Sequence, residues 1–95
     1  MPRDTHKLSL ADAELVAIKA VSFITEDETR LDRFLSLTGW TPDALRQNAA
    51  HPAFLAAVLD HLSGDESLLL TFAANTGTDP SLVGRALRAF EKTEP

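Results

Sequence analysis

Apolar side chains recur along this chain at helical spacing and nowhere alternate with period two, a pattern that predicts helices and no strand. Leu15, Val16, Ala17, Ile18, Ala20, Val21, Phe23 and Ile24 leave only Glu14, Lys19 and Ser22 polar in a first helix over about 10–24. A helix apolar around most of its circumference belongs at the centre of a bundle. Ser9-x-x-Asp12 resembles a capping box at its start, with Leu8 and Ala13 placed as a hydrophobic staple. A second helix, about 26–38, carries Leu31, Phe34 and Leu35 on one face and Asp32, Arg33 and Ser36 on the other. A short third covers about 42–49. The fourth, about 52–62, holds Phe54, Leu55, Val58, Leu59 and Leu62 and is the second central helix. The fifth, about 65–76, repeats the stripe as Leu69, Phe72 and Ala73. The sixth, about 80–92, points Leu82, Val83, Leu87 and Phe90 inward and Arg85, Arg88 and Lys92 outward. Loops of two to four residues imply that neighbouring helices pack side by side.

The pattern occurs twice. Asp27, Glu28, Leu31, Phe34, Thr38, Gly39 and Pro42 return 38 positions later as Asp65, Glu66, Leu69, Phe72, Thr76, Gly77 and Pro80. Val16, Val21 and Ile24 align with Phe54, Leu59 and Leu62, so each copy includes a preceding apolar helix. Two copies are too few for a solenoid, which needs about three or more. The expected fold is therefore all-α, a compact bundle of about six helices built as two similar three-helix halves, over about 10–49 and 50–92. Residues 1–8 are expected to form a flexible tail, and 9–92 a single domain.

The punctuation of each copy has a physical reading. Thr25-x-x-Glu28 and Ser63-x-x-Glu66 read as capping boxes, in which a hydroxyl accepts from a first-turn N–H and the glutamate reaches back. Gly39 and Gly77 are placed to end their helices at positive φ, which costs glycine nothing sterically. Thr41-Pro42 and Asp79-Pro80 set a capping side chain before a proline at the first helical position. Leu45 and Val83 are the matching buried positions that follow.

Composition narrows the classes. A chain of 95 residues makes one domain with one modest core. It has no cysteine, which excludes disulfides and thiolate chemistry and suits a reducing, cytoplasmic setting. Met1 to Leu10 has charges but no apolar core, and no run approaches the ~18 residues of a membrane helix. The net charge of −5 gives no general attraction for nucleic acid or anionic membrane.

Three runs carry a resemblance: F-L-S-L-T-G-W-T-P-D-A-L-R, P-A-F-L-A-A-V-L-D-H-L and D-E-S-L-L-L-T-F-A-A-N-T-G. Together they resemble a short alphaproteobacterial family catalogued only as a domain of unknown function. The likeness covers roughly Leu15 to Arg88. It implies a small helical cytoplasmic protein and brings no activity, substrate or site residues with it.

The reactive side chains form no recognisable constellation. His6 lies in the tail, and His51 and His61 are ten apart, where metal-binding pairs on one helix need three or four. Glu26-Asp27-Glu28 and Asp65-Glu66 sit where helix dipoles favour acidic residues and disfavour a cation, and they lack calcium-loop spacing. Asp60 and His61 are adjacent, so on a helix they point about 100° apart rather than at each other. No catalytic, metal or cofactor-binding residue is therefore assigned, and no cofactor or enzymatic activity is expected.

What remains is recognition. Trp40, the sole tryptophan, follows Gly39, where it either packs back on Leu35 as part of the helix stop or anchors a partner. The favoured expectation is a non-enzymatic protein–protein interaction module or homodimer, its partner another protein or a second copy. The alternative is a helix-turn-helix-like DNA-binding regulator using the 79–92 helix. There Arg85 and Arg88 would be the reading cations, whereas helix 42–49 opens with Asp43 and offers only Arg46.

Overall fold

Every predicted helix forms, with ends within about two residues of the expected positions. A computed structural model describes residues 8–92, and over them the order is α1 (Leu10–Thr25), α2 (Glu28–Thr38), α3 (Pro42–Asn48), α4 (Pro52–Ser63), α5 (Glu66–Thr76) and α6 (Ser81–Lys92). No strand occurs among the described residues. The expected tail lies outside them except for Leu8, which packs half-buried against the core as the staple requires. The Lys92 side chain also lies outside them.

The core is a trio. α1, α4 and α6 pack extensively on one another; α2 covers α1 and touches α4, while α5 covers α4 and touches α1. Five phenylalanines, Phe23, Phe34, Phe54, Phe72 and Phe90, are essentially buried at its centre with Ile24, Leu59 and Leu62. Removing any such ring would cost about 3–5 kcal/mol, because neighbours collapse only partly into the void.

Three expectations need correction. Thr25 and Ser63 are not caps but the last residues of α1 and α4. The Thr25 hydroxyl is already used, donating to the Val21 carbonyl at 2.9 Å. Asp27 caps α2 instead, from an extended backbone (φ −125°), its Oδ1 accepting from the N–H groups of Thr29 and Arg30. Asp65 does the same for α5, accepting from Leu68 N–H at 3.1 Å. A carboxylate makes stronger charge-assisted bonds to orphan N–H groups than a hydroxyl does, so the acid two residues later wins the cap.

α1 is central, but not on all sides: Leu15 and Ile18 are 60% and 52% exposed. α3 and α6 are not equivalent. Val83, Ala86 and Phe90 of α6 are buried, whereas α3 buries no residue fully and Leu45 is only half-covered. α3 has seven residues and no aromatic ring to sink, so it rides on the surface. Local devices recur 38 positions apart, but the expected layout of two similar three-helix halves is not reproduced.

Those devices recur closely. Gly39 (φ +81°) and Gly77 (φ +67°) end α2 and α5, donating to the carbonyls of Leu35 and Ala73. Thr38 donates its hydroxyl to the Phe34 carbonyl at 2.7 Å, and Thr76 donates to that of Phe72 at 2.8 Å. Thr41 caps α3 as expected, through Ala44 N–H. α6 starts one residue late, at Ser81, with Asp79 Oδ1 accepting from both the N–H and hydroxyl of Ser81. Those hydrogen bonds hold the Asp79 carboxyl below its usual range.

Candidate functional site

An open groove of about 700 Å³ with mixed chemistry lies between α2 and α4. Leu37, Trp40 and Ala57 give it apolar walls; Arg33, Asp60, His61 and Asp65 give it polar ones. α2 supplies Arg33 and Leu37 at i and i+4, hence on one face. α4 supplies Ala57, Asp60 and His61 at i, i+3 and i+4 in the same way. The apolar stripe of α4 turns Phe54, Val58 and Leu62 inward, and this fixes which residues remain for the rim.

Trp40 is half-buried. Its ring meets Phe54 of α4 edge to face at 4.9 Å, and Phe54 meets Phe34 of α2 at 5.9 Å. The sequence pointed to Leu35, on the helix Trp40 follows; the ring contact the structure makes is across to α4. Thr38 Oγ1 accepts from Trp40 N–H at 3.3 Å, which ties the turn to the end of α2. Leu37, beside it, is 64% exposed. Arg33 reaches toward Asp65, Nη2 to Oδ2 3.8 Å, a loose pair with a solvated arginine.

His61 is the unusual member. Its ring stands edge to face with Phe34 at 5.1 Å, and its Nε2 is sealed from solvent with no hydrogen-bond partner. Burial lowers its pKa and the Arg33 charge lowers it further, against opposing effects from Asp65 and Asp60. The neutral ring is thus favoured. Asp60 is exposed and makes no hydrogen bond to His61, as expected of neighbours on a helix. His51 is elsewhere, before Pro52, where its Nδ1 accepts from Ala53 N–H and caps α4. His6 lies outside the described residues.

A second groove, of about 300 Å³, lies between α1 and α5. Its lining includes Lys19, Ser22, Phe23, Glu26, Asn75 and Thr76. Each stands 38 positions from a residue of the first groove: Ala57, Asp60, His61, Gly64, Leu37 and Thr38 respectively. The floors match in geometry also, since Phe23 meets Phe72 edge to face at 5.4 Å as His61 meets Phe34. Phe23 is roofed by Arg30, whose Cζ lies 3.9 Å from the ring centre and whose Nη1 donates to the Phe23 carbonyl. His61 therefore occupies a place that its counterpart fills with a phenylalanine.

A family model described as "Protein of unknown function (DUF3572)" matches residues 10–93, which span all six helices. The chain belongs to this family. No curated protein and no solved structure matches the chain. The family description assigns no residue a role, so the grooves are read from their own chemistry.

The residues singled out from sequence do not converge. Trp40 lines the first groove, while Arg85 and Arg88 are on α6 and line neither groove. Arg85 donates to Ser81 Oγ at 3.0 Å, and exposed Arg88 has its Nη1 beside Gly84. Leu37, Arg33 and Ala57 were missed. The available signal was an apolar residue in the last turn before a glycine stop where the second copy has Asn75. No three acidic, histidine or cysteine side chains among the described residues are grouped to hold a metal ion. No helix among them is long and apolar enough to cross a membrane.

Proposed function

We propose that this chain is a non-enzymatic protein-interaction module and that the α2–α4 groove receives a segment of the partner. One observation carries the reading: Leu37, largely exposed, lies beside half-buried Trp40 in a groove with charged walls. An apolar centre with a polar rim is the usual anatomy of a helix-in-groove site. A tryptophan held at its edge supplies large contact area at little entropic cost. His61 supports the same reading. Its counterpart Phe23 satisfies the fold without a sealed, unpartnered nitrogen, so packing alone gives no reason for a histidine.

The DNA-binding alternative draws less support. α6 is sunk between α1 and α4, which leaves only one flank outward, and Arg85 is engaged with Ser81. The overall charge of −5 opposes approach to phosphate.

The test is capture from lysate with the wild-type chain and with Leu37→Glu, followed by mass spectrometry and by sedimentation of each protein alone. Leu37 is exposed, so the substitution leaves the core intact. A protein, or a second copy of this chain, retained by the wild type and lost from the variant is the expected result. Identical retention and identical mass for both would remove the groove from consideration.

A further inference from the structure

The electrostatics of the α2–α4 groove narrow what it receives, on the reading that it is a docking site. α2 and α4 run antiparallel along it, Arg33 toward Asp65 and Trp40 against Phe54, so α2 ends at one end of the groove, at Thr38, and α4 at the other, at Ser63. A helix C-terminus carries about half a negative charge, normally offset by a cation in its last turn. α2 has no basic residue in its last turn. The last turn of α4 has only His61, which burial holds toward its neutral form. Asp60 places a carboxylate on the rim and forms no ion pair among the described residues, whereas Asp65 caps α5 and faces Arg33.

Comparison with the α1–α5 groove isolates what is special. Where that groove has Lys19, this one has Ala57; where it has Ser22, this one has Asp60. Where Asn75 and Thr78 stand on the second copy, Leu37 and Trp40 stand on the first. These four differences remove a cation, add an anion and add apolar surface. Arg33 and Gly64, opposite Thr71 and Glu26, offset those two charges position for position, so the contrast lies in placement: Asp60 stands on the α4 wall of a groove that has gained Leu37 and Trp40.

We propose that the α2–α4 groove binds a basic amphipathic segment of a partner protein, seating an apolar side chain on Leu37 and Trp40 and a lysine or arginine against Asp60. The cation lies in the last turn of α4, where Asp60 and the negative end of that helix act together; the indole lines the same groove, and its face also attracts positive charge. The apolar anchor supplies the contact area. A neutral segment would leave Asp60 uncompensated, and an acidic one would meet it as a like charge.

The sole tryptophan makes the test direct, because Trp40 emission reports the groove in the intact chain. Three synthetic helical peptides share one leucine stripe and differ only in flanking lysines, glutamines or glutamates. The lysine peptide is expected to shift Trp40 emission saturably and to bind about tenfold more tightly than the glutamine peptide, with the glutamate peptide weakest. Asp60→Asn should reduce the lysine preference several-fold and leave the glutamine peptide unchanged. Asp12→Asn, on α1 and outside the groove, should change neither.

Equal affinity for the lysine and glutamine peptides would overturn the charge assignment while leaving the groove reading in place. So would an Asp12→Asn effect as large as that of Asp60→Asn, which would assign the preference to the overall field. No shift of Trp40 by any peptide, or shifts that persist unchanged in Leu37→Gln, would instead remove the groove reading itself.

Discussion

Set side by side, the two grooves show what short-range chemistry repeats and what it leaves open. Gly39 and Gly77, Thr38 and Thr76, Asp27 and Asp65 perform the same tasks with nearly the same bonds. Each task is local: a carboxylate to an orphan N–H, a hydroxyl to the carbonyl one turn back, a glycine where φ must be positive. The walls diverge because nothing local constrains them. Ala57 and Asp60 against Lys19 and Ser22 are solvent-facing choices that leave the helices intact. The same scaffold therefore presents a groove lined by Trp40, Leu37, Arg33, Asp60 and Asp65 on one side and a smaller one bearing Lys19 and Glu26 on the other.

The most severe way to break the comparison is at the aromatic pairs. Phe34→Ala and Phe72→Ala should each lose about 3–5 kcal/mol in urea unfolding, since both rings are wholly buried. A loss below about 2 kcal/mol at one site alone would mean that its half is not anchored by that ring.

Next come the two stops. Gly39→Ala and Gly77→Ala should each cost about 1–2 kcal/mol, the strain of a left-handed L-residue. A Cβ would meet nothing within 4 Å at either position, so the cost is conformational and should be the same in both. Unequal shifts in denaturation midpoint would show that the two turns differ beyond their dihedral angles.

The floors sharpen the comparison further. His61→Phe converts the first floor into the second and should gain about 1 kcal/mol by removing an unsatisfied buried nitrogen. If thermal melts show the variant to be less stable, His61 Nε2 has a partner in solution, such as a bound water.

The smallest expected effect is a pH dependence. Burial favours the neutral imidazole, so the unfolded chain takes up this proton more readily than the folded one. Its contribution is whole above the ordinary histidine pKa of about 6.5 and is lost as pH falls from there toward the lowered folded value. Stability should decline slightly over that window in the wild type, and His61→Phe should flatten the slope. An unchanged slope would place the titrating group elsewhere.

Much of this was legible in the sequence, and the reasons for the rest are physical. Helix number and ends follow from apolar spacing, glycine and proline, which act within a turn or two. Cap identity was misread because Thr25 and Ser63 satisfy the pattern for a box, whereas Asp27 and Asp65 satisfy it with a stronger acceptor. The exposure of Leu15 and Ile18 was hidden because an apolar circumference says nothing of how many neighbours arrive. The grooves were invisible for the same reason. They exist only where α2 meets α4 and α1 meets α5, contacts that no spacing along the chain encodes. Trp40 alone drew notice in advance, by its rarity.

The burial of α6 between α1 and α4 has a consequence for how the molecule is made. α6 is the last of the six helices to leave the ribosome, yet it closes the central trio. Until it emerges, the faces of α1 and α4 that it covers are open to water and to other nascent chains. Synthesis halted after Gly77 should then yield a species that takes up a hydrophobic dye and is degraded quickly. On this view α1 to α5 cannot mature without α6, and quality control of the bundle turns on the dozen residues Ser81–Lys92.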